Sequence, residues 1–153
     1  MNRDEIGLGS LLRALIASLD EGVQQHYRSQ AESFRPRYFP VVSLLLQKVA
    51  MRVGELAEAC GVSQPAMTQT LSAMKKEGII RATDDEDQRA RLVSLTKQGR
   101  AQAARLDEHW KATARAAARL EAECGLSISA IASDYLAALD RKPFIERIKE
   151  ELS

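Results

Sequence analysis

"VGELAEACGVSQPAMTQTLSAMKKEG", Val53 to Gly78, is the stretch that decides the fold. It reads as two short helices joined by a turn. Leu56, Ala57 and Cys60 form the inner face of the first helix. Gly61 sits where the chain must turn, and glycine adopts positive φ without steric cost. Val62 is expected to be the apolar plug of that turn. Ser63 is placed to cap the second helix, and Pro65 falls in its first turn, where a missing amide does no harm. Met67, Leu71 and Met74 share one helical face and form its buried seam. A small residue, a glycine and an apolar residue at Ala57, Gly61 and Met67 give the spacing of a helix-turn-helix.

Downstream, Ile79–Thr83 and Arg91–Thr96 are β-like runs around a polar stretch, which predicts a hairpin with a long loop. That stretch holds four consecutive acids, Asp84 to Asp87. Adjacent carboxylates on a short loop scatter, and no EF-hand glycine or closing glutamate follows, so no metal is expected. Thr96 is positioned to cap a long helix that Gly125 ends, and Gly99 is a weak residue for its first turn. Upstream, Leu8, Leu12, Leu15, Leu19 and Val23 lie at helical spacing, with Leu11 and Ile16 widening the stripe. Pro36 and Pro40 break that pattern before a short apolar helix. At the other end, Ser127 opens a last helix carrying Ile128, Ile131, Tyr135 and Leu139. Pro143 interrupts it, and Phe144, Ile148 and Leu152 continue.

The chain has 153 residues, enough for one domain or two lobes sharing a core. Its net charge is only +1, but the distribution is uneven. Arg28 to Arg100 holds 12 basic and 8 acidic residues, and the remainder holds 10 and 13. A basic middle with acidic ends suits a middle that meets phosphate. No run approaches the roughly 20 apolar residues of a membrane span, and no signal-peptide core is visible, so a cytoplasmic protein is expected. Cys60 and Cys124 stand apart, without a CxxC motif or a histidine cluster. They read as two reduced, largely buried thiols, neither a disulfide nor a zinc site. No cofactor is implied.

The outer face of the second helix carries Gln64, Ala66, Thr68, Gln69 and Ser72. Glutamine matches the N6/N7 edge of adenine, Ser and Thr take several base edges, and alanine can touch a thymine methyl. Lys75 and Lys76 at the helix end suit phosphates. Ser63 and Pro65 complete the candidate set at its N-terminus. The other reading of each residue is plain solvation of an exposed helix.

"FRPRYFPVVSLL" (34–45), "VGELAEACGVSQPAMTQTLSAMKKEGII" (53–80) and "DEDQRARLVSLTKQGR" (85–100) occur in an order and spacing that resemble the MarR family of bacterial winged-helix regulators. The family's "LT..G" is present as Leu95, Thr96 and Gly99, and its Asp-x-Arg wing motif as Asp87, Gln88 and Arg89. The resemblance implies a mainly α fold with a small β-hairpin wing (α+β). In it, one 1–153 domain divides into a winged helix-turn-helix lobe at about 36–100 and a helical dimerisation lobe from about 5–34 and 101–153. It implies a homodimer that binds double-stranded DNA at a pseudo-palindrome, and a ligand-responsive repressor. Arg89 would enter the minor groove, Arg91 would brace the wing or reach phosphate, and Asp87 would hold an arginine in aim.

The resemblance also implies a small aromatic or anionic effector in a cleft between lobes. Arg37 and Tyr38 are candidates to contact it, and His26, Tyr27 and Trp110 weaker ones; packing is the other reading of each. The peroxide-sensing branch carries its cysteine in the first helix, where this chain has none. The rival function is a winged-helix protein–protein interaction module without specific DNA binding. An enzyme is not expected, since no P-loop, HExxH, GxSxG or Rossmann fingerprint is present.

Overall fold

The computed structural model describes residues 7–30, 33–84 and 91–152. Seven α-helices and three short strands follow one another along the described residues. They are α1 (Leu8–Ser29), α2 (Phe39–Gln47), β1 (Met51–Arg52), α3 (Val53–Ala59), α4 (Gln64–Lys76), β2 (Ile80–Asp84), β3 (Arg91–Leu95), α5 (Lys97–Cys124), α6 (Ile128–Arg141) and α7 (Phe144–Glu151). The fold is mainly α with a small antiparallel sheet, as the sequence indicates. Two compact units divide the chain, Met1–Asp107 and Glu108–Ser153, and α5 runs from one into the other.

The first unit is built around one apolar core. Pro36 starts a 3-10 turn, Pro36–Tyr38, and Pro40 sits in the first turn of α2, where neither needs an amide donor. Val41, Val42 and Leu45 from α2 meet Leu56 and Ala57 from α3 and Met67, Leu71 and Met74 from α4 in this core. Tyr27, Phe34 and Tyr38 close it with two edge-to-face ring contacts, at centroid distances of 5.4 and 5.6 Å. Gln24 Nε2 donates to the Phe34 carbonyl at 3.2 Å, which ties α1 to the segment before the 3-10 turn.

The hairpin is part of a three-stranded sheet of order β1-β3-β2. Met51 pairs with Val93 across β1 and β3. Sequence reading misses β1 because two residues are too few to show alternation. The first strand also starts one residue later than expected. Ile79 donates its amide to the Met74 carbonyl at 2.9 Å and so still belongs to the end of α4. Thr96 lies outside β3 because its side chain serves α5: its Oγ1 accepts from the Gly99 amide at 2.9 Å. The same hydroxyl donates to the Gly78 carbonyl at 2.6 Å.

Gly99 is more than a weak helix former. A Cβ there would lie 2.1 Å from the Ile79 carbonyl oxygen, a backbone atom. Only a hydrogen at this position lets the first turn of α5 rest on the junction of α4 and β2.

In the second unit, Gly125 takes φ +68° and ends α5. Ser127 caps α6 by accepting from the Ala130 amide at 3.2 Å. The Glu121 carboxylate accepts from the Ser129 amide at 2.9 Å and from its hydroxyl, and these bonds hold the Glu121 carboxyl below its usual range. Pro143 interrupts the terminal helix as expected and divides it into α6 and α7. Lys142 is extended, and Pro143 begins α7. Neither α6 nor α7 has a buried residue. Ile128, Ile131, Tyr135, Leu139, Phe144 and Ile148 all stand exposed, as do Leu8, Leu11, Leu12, Ile16 and Leu19 of α1.

Gly99→Ala is expected to cost about 3 kcal/mol or more, because overpacking here meets backbone rather than a movable side chain. Urea unfolding followed by circular dichroism measures it. A loss below about 1 kcal/mol would show that α5 can withdraw from Ile79 at little cost.

Candidate nucleic-acid interface

The α3–turn–α4 segment folds as its sequence indicates. Gly61 takes φ +64°. The Gly61 amide donates to Glu58 O and the Val62 amide to Ala57 O, both at 3.0 Å, so the turn folds back on α3. Ser63 is extended and its Oγ accepts from the Ala66 amide at 3.4 Å. At the start of α3 the Glu55 carboxylate accepts from the Arg52 amide at 2.9 Å. Two expectations need correction. Val62 is 43% exposed and is not a plug, because the fold-back turns its side chain outward. Cys60 is half-buried, being the C-cap of a seven-residue helix and not part of its inner face.

Burial in α4 follows the helical period. Met67, Leu71 and Met74 are buried, while Gln64, Pro65, Ala66, Thr68, Gln69, Ser72, Lys75 and Lys76 are exposed. At about 3.6 residues per turn, Pro65, Gln69, Ser72 and Lys76 lie on the side opposite the buried seam. The face is short-chained and hydrogen-bonding along its length, and cationic at its C-terminal end, where the lysines also suit the helix dipole. Ser63 is exposed at the other end. Gln64 folds toward α3: a Cβ on Gly54 would lie 3.1 Å from Gln64 Nε2.

The wing strands pair in register from Ile80 with Leu95 to Asp84 with Arg91. Asp87 and Arg89 lie outside the described residues, as do Asp85 and Glu86. Arg91 is placed at the start of β3 by its backbone.

Glu77, at the C-terminal end of α4, was not singled out by sequence reading. Its Oε1 accepts from the Tyr38 hydroxyl at 2.9 Å and lies 3.7 Å from Arg35 Nε. Its Oε2 is buried and has no hydrogen-bond partner among the described residues. Gln98 Nε2 donates to the Glu77 carbonyl at 3.3 Å. The end of α4 is therefore gripped from the 3-10 turn on one side and from α5 on the other. No sequence spacing signals this contact, because Tyr38 and Glu77 are 39 positions apart.

Of the expected effector residues, Arg37 lies over the Tyr38 ring, its guanidinium carbon 5.8 Å from the centroid. Tyr27 and Tyr38 are core residues, 2% and 0% exposed, and offer no face to a ligand. Their rings are held by Phe34, and the Tyr38 hydroxyl is taken by Glu77. Arg37 is exposed and lines an open cleft of about 430 Å³ with Asp20, Glu21, Gln24, Gln25, Arg28, Arg35 and Pro36. His26 is half-buried on α1. Trp110 is half-buried and belongs to the other unit. The two cysteines are not both hidden: Cys124 is exposed. Burial pushes the Cys60 thiol up, which lowers its thiolate fraction. Among the described residues no group of His, Cys, Asp and Glu could hold a metal ion. None of the described helices is long and apolar enough to cross a membrane.

Helix-turn-helix, hairpin and flanking helices together define a winged helix-turn-helix protein. Residues 35–90 match the sequence model of the MarR family. The chain is 26% identical to a MarR family transcriptional regulator from Silicibacter pomeroyi DSS-3, over 91% of this chain and 98% of that one, with a TM-score of 0.66. The fold is shared with the M. tuberculosis transcriptional regulator MOSR in complex with DNA, at 21% identity, 89% and 98% coverage and a TM-score of 0.72. It is shared too with the transcriptional repressor CouR bound to a 23-mer DNA duplex, at 22% identity, 87% and 89% coverage and a TM-score of 0.61. No curated protein sequence matches significantly. Residues 35–90 therefore carry the sequence pattern of the MarR family, and the chain as a whole is similar to MarR family regulators in fold.

Burial pushes the Tyr38 phenol above its usual range, and the bond to Glu77 and that carboxylate's charge push it further. With a raised folded-state value, its contribution is complete below the ordinary phenol pKa of about 10 and is lost as pH rises through the folded one. Tyr38→Phe should therefore cost about 1–3 kcal/mol near neutrality, by leaving Glu77 without its donor, and should flatten the decline of stability above about pH 10. Urea titrations at neutral and alkaline pH test both parts. Unchanged stability at both would show that the bond contributes nothing.

Proposed function

We propose that this chain is a sequence-specific regulator of transcription that binds double-stranded DNA as a homodimer. The observation that carries the reading is the division of α4 into a buried seam and an outward face of base-compatible side chains. Gln64, Ala66, Thr68, Gln69 and Ser72 would read base edges in the major groove, with Ser63 and Pro65 at the entry and Lys75 and Lys76 on phosphate. Arg89 would enter the minor groove, oriented by Asp87, with Arg91 at the root of the wing. The DNA complexes of MOSR and CouR support this reading by fold.

The exposed stripes of α1, α6 and α7 supply the dimer surface in this proposal, because they find no cover within the described chain. Residues about 36–100 then form the DNA-binding lobe, and about 5–34 with 101–153 the dimerisation lobe. A dimer aligns two α4 helices with successive major grooves of a pseudo-palindrome. Repression follows from occupying a promoter, in the cytoplasm. A small anionic effector would find Arg28, Arg35 and Arg37 together in one cleft. Arg35 also neighbours Glu77, so an occupant would bear on the end of the reading helix.

Binding to labelled duplex from the chain's own upstream intergenic DNA, against a shuffled duplex at two salt concentrations, tests the function. Specific binding should be tighter by about 10³-fold or more. Gln69→Ala should cost about 1–3 kcal/mol on the specific duplex only. Lys76→Ala should weaken both duplexes and reduce the salt slope by about 1. Equal weak binding to both duplexes would overturn the proposal and favour a protein-interaction module.

Sedimentation equilibrium tests the assembly. The native chain should run as a dimer, and Ile131→Glu with Phe144→Glu as a folded monomer. A native monomer at micromolar concentration would contradict the lobe assignment.

A further inference from the structure

A second concavity, of about 650 Å³, lies in the first unit at the root of the wing, away from the outward face of α4. Its walls come from the segment before β1, from β2 and β3, and from the first turn of α5. Val49, Ala50 and Leu95 give it an apolar side, and Arg81, Lys97 and Arg100 a cationic one. No acid lines it. None of the three cations forms an ion pair among the described residues.

The cations are not placed at random. Ser94 is 9% exposed, and its hydroxyl accepts from Arg81 Nε at 3.1 Å. That bond aims the guanidinium and leaves its two terminal nitrogens for another acceptor. Lys97 and Arg100 sit three positions apart in the first turn of a 28-residue helix that has no acid there. Cations at a helix N-terminus oppose the dipole, and these two line the same concavity as Arg81. Three like charges lining one concavity, with no ion-paired acid among the described residues, leave a field that a bound anion would relieve. Val49, which also lines the concavity, is 83% exposed.

We propose that this concavity binds a small organic anion, with its phosphate or carboxylate on Arg81, Lys97 and Arg100 and its apolar body against Val49, Ala50 and Leu95. The site is separate from the Arg28, Arg35 and Arg37 cleft, and its occupancy does not depend on DNA. An occupant rests on the strand pair that carries the wing.

Phenyl phosphate and inorganic phosphate are the probes, titrated at constant ionic strength by calorimetry and by thermal unfolding. The native protein should bind phenyl phosphate saturably and inorganic phosphate more weakly. Arg81→Gln and Arg100→Gln should each weaken phenyl phosphate about tenfold, the loss of one charge-assisted bond. Val49→Ser should erase the preference for phenyl phosphate while keeping the phosphate affinity, an effect that mere destabilisation does not produce. Undiminished binding in the Arg81→Gln, Arg100→Gln double variant would overturn the proposal. So would no saturable binding by the native protein. If that failure came with a reduced salt slope for DNA in the double variant, the cations would belong to backbone phosphate instead.

Discussion

The first turn of α5 approaches Ile79 so closely that a single methyl group at Gly99 would meet the carbonyl oxygen at 2.1 Å. Around that approach Thr96 does three things. Its amide donates to Ile79 O at 3.0 Å, its hydroxyl donates to Gly78 O, and the same hydroxyl caps α5 at Gly99. The end of α4, the start of β2, the end of β3 and the start of α5 thus converge on four residues. The rest of the first unit depends on this junction. It fixes the angle between the helix that presents the polar face and the hairpin that presents the wing. Glu77 extends the junction to the 3-10 turn through Tyr38 and Arg35. Backbone carbonyls at a helix end must be satisfied somewhere, and here the acceptors of α4 are satisfied by the neighbouring elements.

Parts of this were legible in the sequence because they obey local rules. Gly61, Ser63 and Pro65 each have a short-range reason for their positions, and the structure puts each where that reason requires. The Met67, Leu71 and Met74 seam follows from the helical period alone. What escaped is what no period encodes. Gly99 reads as a poor helix residue until the Ile79 carbonyl is seen beside it. Glu77 looks like a surface acid until Tyr38 is found on it. Two residues of β1 carry no alternation to detect. Their positions in the helix and turn predict inward places for Cys60 and Val62, but the fold-back at Gly61 leaves the one half covered and the other exposed. Tyr27 and Tyr38 drew attention as aromatics near a presumed cleft, and both are core.

The same local reasoning explains the terminal helices differently. Their apolar stripes are regular, yet α6 and α7 bury nothing and the front of α1 stays open. An exposed apolar stripe on each of these helices suits an interaction site. A regulator that must place two reading helices at one spacing has a use for such a surface: the helices that join the copies also set the distance between the α4 faces.

The central claim is that two copies of α4, each held in fixed relation to its wing, read DNA together. Hydroxyl-radical footprinting on the upstream intergenic duplex tests it most directly. The account predicts protected tracts related by a dyad, with the two half-sites about one helical turn, roughly 10 base pairs, apart and flanked by minor-groove protection from the wings. A single protected half-site, or uniform weak protection along the duplex, would contradict it.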